Sequence, residues 1–337
     1  MAKDKPSKSK TSDEKLLVRV KRWFKSTTDA EARQRERERD DLSFQVPENQ
    51  WDEASKAQRR GGIVGGQVTP PRPMLTISLL TQPYQLILNQ AMNAHLGVEI
   101  HPVSEDADED QAEVRQGLYR RIERDSNAQI ARLHAFGRAV LCGRGWYRVN
   151  TKYDEDSDQT ADQEIVIERI LNQESVYMDP AAQQPDYSDA RWGMIVGYVP
   201  VDTFKREYPG KQIPTGATEF KMWAESDPDW VNEDENEPGI LVAECFYKVF
   251  EKDRVTAVKY CKVTGREVIE EQDWNGLYIP IVHVFGRELY SFDGERRWEG
   301  LVRQARDGQK FTNFAASSLV EAMALEPKSP WVMAEGQ

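Results

Sequence analysis

The sequence predicts an α+β protein: a helical N-terminal part, a mostly antiparallel β middle and a long C-terminal helix. Three observations carry this. Apolar residues recur at helical spacing from Leu16 to Phe24 and again from Trp298 to Met323. Short segments between Trp146 and Phe285 instead alternate apolar and polar residues. Finally, 337 residues with 39% hydrophobic content suffice for a sizeable core, which confines disorder to segments.

Taken in order, Met1–Ser12 is rich in Lys and Ser and is expected to be a flexible basic tail. From Asp13 onward, Leu16, Leu17, Val20, Trp23 and Phe24 make a short amphipathic helix. Asp29–Asp41 is a charged helix supported by i,i+4 pairs such as Glu31 with Arg35. Its acids alternate with its bases, so a solvated face is expected there ahead of a nucleic-acid patch. Arg59–Pro73 holds two Gly pairs together with Pro70, Pro71 and Pro73 and reads as a loop. No G-x-x-x-x-G-K-S/T pattern follows, which argues against a nucleotide site.

Leu75, Leu79, Leu80, Leu86, Ile87 and Met92 suggest helix up to Leu96, interrupted at Pro83, and Val98–Val103 suggests a short strand. Ser104 then offers an N-cap hydroxyl, and Glu105, Asp106, Asp108, Glu109 and Asp110 complement the positive end of a helix. The same acids lack the Gly turn of an EF-hand, so a helix start is preferred to a cation site. Val114, Leu118, Ile122, Ile130, Leu133, Phe136, Val140 and Leu141 extend one apolar face, giving a single helix on the order of 50 Å long.

Gly143 and Gly145 stop that helix. Trp146–Tyr153 and Glu164–Leu171 form a predicted hairpin around the acidic loop Asp154–Asp162. Further strands are expected at Met194–Val199, Ile240–Phe250, Arg254–Lys262, Glu267–Glu271 and Ile279–Phe285, with an acidic loop at Glu225–Glu237 beside Trp223 and Trp230. The last helix is predicted over Arg297–Leu325, with Gly308 inside it and Pro327 and Pro330 ending it. Small residues from Ala315 to Ser318 would let a neighbouring helix approach closely.

Charge and motifs narrow the function classes. The net charge is −12, but residues 1–40 carry thirteen Lys/Arg against eight Asp/Glu, or +5, which leaves −17 for residues 41–337. So acidic a body argues against tight sequence-independent binding of nucleic acid and leaves weak contact open. Cys142, Cys245 and Cys261 and the four histidines are scattered without metal-ligand spacing, as expected for packing residues in a reducing compartment. Apolar runs such as Gly193–Val199 fall far short of the roughly 18 residues that span a bilayer, so no membrane anchor is expected. Neither Cys142 with His134 nor Cys245 with His283 sits in a nucleophile pattern, and no cofactor loop is present. A non-enzymatic assembly or binding role is therefore expected, with no cofactor. The alternatives are a metal-dependent nuclease built from carboxylates such as Asp179, or a generic assembly protein.

The order of several segments is informative. Arg37-Glu38-Arg39-Asp40-Asp41-Leu42-Ser43-Phe44 leads to Gln50-Trp51, and Arg72-Pro73 to Glu99-Ile100-His101-Pro102. Gly143-Arg144-Gly145-Trp146-Tyr147-Arg148-Val149 is followed by Tyr177-Met178-Asp179-Pro180 and Asp189-Ala190-Arg191-Trp192. Ile279-Pro280-Ile281-Val282, Gly300-Leu301-Val302-Arg303, Asp307-Gly308-Gln309 and Pro327-Lys328-Ser329-Pro330-Trp331 close the series. Together, over roughly residues 15–337, they resemble the portal protein of short-tailed (podovirus-type) bacteriophages, the ring at one capsid vertex through which DNA is packaged and ejected.

The resemblance implies an α+β wing over residues 13–290, a first stem helix over 297–325, and the start of the clip over 326–337, where the chain stops short of the family's length. It also implies a dodecameric ring of this chain with itself. Implied partners are double-stranded DNA passing weakly and non-specifically, the terminase large subunit, head-completion or adaptor proteins, and capsid or scaffolding proteins. The expected location is the virion's portal vertex, after assembly in the host cytoplasm. Arg303, Arg306 and Lys310 become candidates for the DNA-facing side of the stem, with an ordinary solvated helix face as the competing reading. Lys328 and Trp331 are candidates for the start of the clip.

Overall fold

The computed structural model describes residues 8–64, 67–94, 97–103, 108–153, 163–211, 239–252 and 254–325. Its first element, α1 (Lys8–Phe44), is one uninterrupted 37-residue helix, on the order of 55 Å long. It begins inside the expected basic tail and fuses the two expected helices. Thr27 and Thr28 sit at their junction without breaking it. The Thr28 hydroxyl donates to the Phe24 carbonyl at 3.0 Å, and Thr27 donates outward to the Met178 carbonyl at 2.9 Å, stitching the helix to a strand.

A short helix, α2 (Glu53–Arg59), and a ribbon of β1 (Gly62–Val64) with β2 (Gln67–Thr69) follow. The chain from Pro71 to Ser78 then runs extended, although helix is expected from Leu75, and α3 spans Thr81–Asn93 with Pro83 harmlessly in its first turn. The strand expected at Val98–Val103 is absent from that described segment.

The long helix expected from Ser104 is two helices, α4 (Glu109–Asp125) and α5 (Ala128–Cys142). Asn127 breaks them apart in the left-handed region (φ 49°), which Asn tolerates better than most residues. The N-cap is Asp108, whose carboxylate accepts from the Asp110 amide at 3.0 Å; Ser104 lies outside the described residues. The break lets Val114, Leu118 and Ile130 face solvent rather than extend one apolar stripe.

Gly143 ends α5 at φ 100° and leads into β3 (Arg144–Tyr153), paired antiparallel with β4 (Gln163–Arg169), the predicted hairpin. Next come β5 (Val176–Met178), β6 (Trp192–Pro200), α6 (Val201–Glu207), β7 (Gly239–Glu251), β8 (Arg254–Thr264) and β9 (Val268–Trp274). These five strands make one antiparallel sheet in chain order. Then β10 (Ile281–Phe285) returns to the free side of β3, giving the order β10-β3-β4. A second ribbon pairs β11 (Arg287–Leu289) with β12 (Arg297–Glu299), and α7 (Leu301–Leu325) ends the described chain. The last helix therefore starts later than predicted. Its expected first turn is strand, because Gly300 bends the chain so tightly against α5 that a Cβ there would lie 2.2 Å from the Leu141 carbonyl.

Apolar burial holds these layers together. Leu16, Val20 and Phe24 of α1 pack on the five-stranded sheet over Tyr177, Trp192, Met194, Leu241, Cys245 and Val263, and Trp23 stacks on Trp192 with ring centroids 5.3 Å apart. Val176, Met178, Ile195 and Phe246 on the opposite face meet Trp146 and Ile281. Ala128 and Ala131 of α5 lie on Ile167 of the smaller sheet. Gly145 is required by that contact, since a Cβ would fall 1.8 Å from the Ala135 carbonyl. Phe44, Leu80, Leu141 and Val302 then bring the end of α1, the start of α3, the end of α5 and the start of α7 to one point.

Candidate functional site

The charged half of α1 is solvated on one side only, where Arg33, Glu36, Arg39 and Asp40 are exposed; its other side is buried. Glu38 is buried and its carboxylate meets Arg144 Nε at 2.5 Å and Arg138 at 3.2 Å, while Arg144 also reaches Glu31 at 3.0 Å. Arg35 pairs with Glu31 at 3.1 Å, donates at 2.6 Å to both the Glu174 and Val176 carbonyls, and stacks on the Tyr177 ring at 4.2 Å. Burial alone would raise the Glu38 pKa; Arg144 and Arg138 outweigh it and hold the carboxyl down to about 2. The network joins α1, α5 and β3 at the only kind of position where charges tolerate burial, one in which each is paired and hydrogen-bonded.

One turn further, the same helix holds α7. Arg303 pairs with Asp41 at 3.0 Å and donates to the Arg37 carbonyl at 2.7 Å. Arg306 pairs with Asp40 at 3.2 Å and lies over the Phe44 ring at 5.2 Å. Two of the three stem cations singled out from the sequence are thus brought together against α1. Lys310 is half-buried; after the Ser55 hydroxyl, it helps hold the Asp52 carboxyl low. Lys328 and Trp331 lie outside the described residues.

Sequence reasoning missed a polar stripe along α7. Gln309, Asn313 and Ser317 are all buried, and their side-chain oxygens accept the amides of Leu79, Ile77 and Leu75 at 2.9, 3.0 and 2.9 Å. Gln309 also donates to the Ile77 carbonyl at 2.6 Å, and Asn313 to Gln50 at 2.9 Å. The match is geometric: four residues advance a helix by about 6 Å, and two advance an extended chain by about 6.6 Å. A helix side chain at every fourth position therefore meets every second amide of a chain running the other way. Three polar residues spaced by four along the helix were the available signal.

The opposite side of α7 carries exposed apolar side chains: Phe311 is 73% exposed, Leu319, Met323 and Leu325 are exposed as well, and Phe314 is half-exposed with the Arg59 guanidinium over its ring at 4.7 Å. Ala315 and Ala322 lie between them. One helix thus has a polar face locked to its own subunit and an apolar face turned outward, the inverse of a soluble surface helix.

The scattered cysteines are accounted for by packing. Cys245 and Cys261 are cross-strand neighbours, all three thiols are buried and unbridged, and burial pushes Cys142 up to about 11. Among the described residues no three His, Cys, Asp or Glu side chains converge as a metal site would require, and no helix is long and apolar enough to cross a membrane. Asp179, the carboxylate named for the nuclease alternative, is held by Arg191 at 2.6 Å and by the Ala181 amide at 3.1 Å.

With this geometry in view, a family model described as Phage P22-like portal protein matches residues 21–337. The chain belongs to that portal family. A curated portal protein of Acyrthosiphon pisum secondary endosymbiont phage 1 is 23% identical over 337 aligned residues, covering 87% of this chain and 45% of that protein. The chain thus spans about half the length of this curated relative. The portal family is a structural one, and nothing in the comparisons supports a nuclease.

Proposed function

We propose that this chain is the wing and first stem helix of a portal subunit, part of a ring at one capsid vertex through which phage DNA enters and leaves. The observation that carries the reading is the match to the portal family over residues 21–337, which includes the whole of α7. The outward apolar face of α7 fits it, since a helix anchored by Gln309, Asn313 and Ser317 on one side presents Phe311, Phe314 and Leu319 for a neighbouring subunit on the other. Such a contact is head-to-tail and closes into a ring, dodecameric in this family.

In this reading the protein acts by structure rather than catalysis. Terminase, head-completion and capsid or scaffolding proteins dock on the ring, which is assembled in the host cytoplasm and carried in the virion. Arg303 and Arg306 serve the joint between α1 and α7 first, which leaves Lys310 as the stem cation best placed for weak contact with DNA; Lys328 and Trp331 belong to the start of the clip. An acidic body suits a wall that DNA slides past, because each tightly held phosphate would slow it.

Sedimentation velocity and negative-stain imaging test the proposal. Closed oligomers that dissociate on Leu319→Asp, with the monomer's helicity unchanged, are expected. A monomer at every concentration and salt condition tried would count against it.

A further inference from the structure

The extended segment clamped by α7 turns a second face outward. Its amides at Leu75, Ile77 and Leu79 are taken up by Ser317, Asn313 and Gln309, and the Thr76 hydroxyl accepts from Trp51 Nε1 at 3.0 Å. Successive side chains of an extended chain point to opposite faces, so the face away from Trp51 carries Leu75, Ile77 and Leu79 in one row. All three are exposed, Ile77 by 44% and Leu79 by 56%. Arg59 pins the same segment by donating to the Pro73 carbonyl at 3.0 Å. A row of bare apolar side chains on a backbone already fixed has lost the entropy that docking would otherwise cost.

Alternate residues of an extended chain repeat every ~6.6 Å, close to the ~6 Å between every fourth residue of a helix. The polar stripe of α7 uses that match once. A second stripe has the same spacing: Phe311, Ala315, Leu319 and Met323, all exposed. Gln309 and Phe311 are two residues apart, about 200° of helical turn, so the two stripes lie on nearly opposite sides of α7. While the polar stripe holds the segment of its own subunit, the apolar stripe cannot reach it. Stripe and row are thus two exposed apolar surfaces of one chain, alike in period, that can meet only between copies.

We infer that the stripe from Phe311 to Met323 of one copy packs on Leu75, Ile77 and Leu79 of the next, so that each extended segment lies between two α7 helices. The inference rests on the ring reading above and names the surface that receives α7. Neighbours in a ring of many copies differ by a small rotation, so their α7 helices run nearly the same way. The neighbour's helix therefore meets the segment antiparallel, as the segment's own helix does, with Phe311 toward Leu79 and Leu319 toward Leu75. Ala315, the small residue of the stripe, then falls beside Ile77. Four helix residues on three extended ones cover only part of the ~800 Å² per partner of a standard interface, so this strip is the apolar centre of a larger contact.

The test uses the full chain in two forms. Ile77→Lys changes an exposed side chain and keeps the amide that Asn313 accepts. The thermal midpoint of the monomer should hold, while the concentration needed for half-assembly rises about tenfold or more. The second form does not depend on that variant: Ile77→Cys and Ala315→Cys place thiols on row and stripe, while the native cysteines are buried. Under mild oxidation the double variant should give a ladder of cross-linked species, and a mixture of the two single variants dimers only, as a head-to-tail contact requires. Oligomers that dissociate on Leu319→Asp yet ignore Ile77→Lys and form no cross-link would overturn this inference and leave the ring reading standing. A chain that stays monomeric throughout would overturn both.

Discussion

Glu38 of α1 and Arg144 of β3 meet at 2.5 Å with side chains only 2% and 4% exposed. A pair this deeply buried contributes little net stability over an apolar pair, but its half-removal is costly, since the remaining charge stays in a medium that solvates it poorly. Glu38→Ala leaves Arg144 and Arg138 without it and should destabilise the chain by about 3–5 kcal/mol in urea titrations. The exposed pair of Arg33 and Glu295, 2.9 Å apart, is the contrast: Arg33→Ala should cost no more than about 0.5 kcal/mol. Similar losses for both would mean that burial does not set the value of the pair.

The stripe on α7 makes a more local prediction. Asn313→Leu removes the acceptor of the Ile77 amide and the donor to Gln50, leaving polar atoms buried at both ends. A loss of about 1–3 kcal/mol is expected, together with faster hydrogen exchange at Ile77 and its neighbours Leu75 and Leu79. Asn313→Asp keeps the acceptor and should retain much of the Ile77 protection. Unchanged exchange in the Leu variant would show that the extended segment is held by something other than α7.

Local pattern and tertiary context divide what was legible in the sequence. Apart from the three-residue β5, the strands from Trp146 to Phe285 were readable because half-buried sheets impose alternation, and α7 because an apolar period survives along most of it. The burial of Glu31, Arg35 and Glu38 was not, since nothing local distinguishes a charge that will meet a distant opposite charge from one that will meet water. The break at Asn127 was hidden for a related reason: Asn continues a helix or leaves it depending on what the next helix packs against. Of the candidate site, Arg303 and Arg306 were correctly placed on the last helix, but their commitment to Asp41 and Asp40 depends on a segment more than 260 residues away.

Glycines offer a test of packing. Gly145→Ala would put a methyl 1.8 Å from the Ala135 carbonyl, so α5 must move off β3. Substantial destabilisation or failure to fold is expected, beyond the 1–3 kcal/mol typical of overpacking. Gly308, inside α7 with nothing within 4 Å of a Cβ, should behave oppositely. Gly308→Ala is expected to stabilise by about 0.5–1 kcal/mol through helix propensity and a less flexible unfolded chain. Thermal midpoints of the two variants shifting the same way would contradict the packing at Gly145.

Acid-base behaviour should separate two neighbouring carboxylates on α1. Glu38 is held below its ordinary value of 4.5, at about 2, so its contribution is complete above about pH 4.5 and is lost as pH falls toward 2. Asp41 behaves in the reverse sense. Burial outweighs its pairing with Arg303 and raises its carboxyl from 3.8 to about 6. The protonated form is thus favoured in the folded chain, and the stability it brings is present below about pH 3.8 and lost as pH rises through about 6. Asp41→Asn removes that loss without altering Glu38. Urea titrations at pH 4.5, 6 and 7.5 should show the variant gaining on the parent as pH rises, by roughly 2 kcal/mol between the two ends of the range. A constant difference across the three would place the ionisation of Asp41 outside this window and remove burial as its controlling influence.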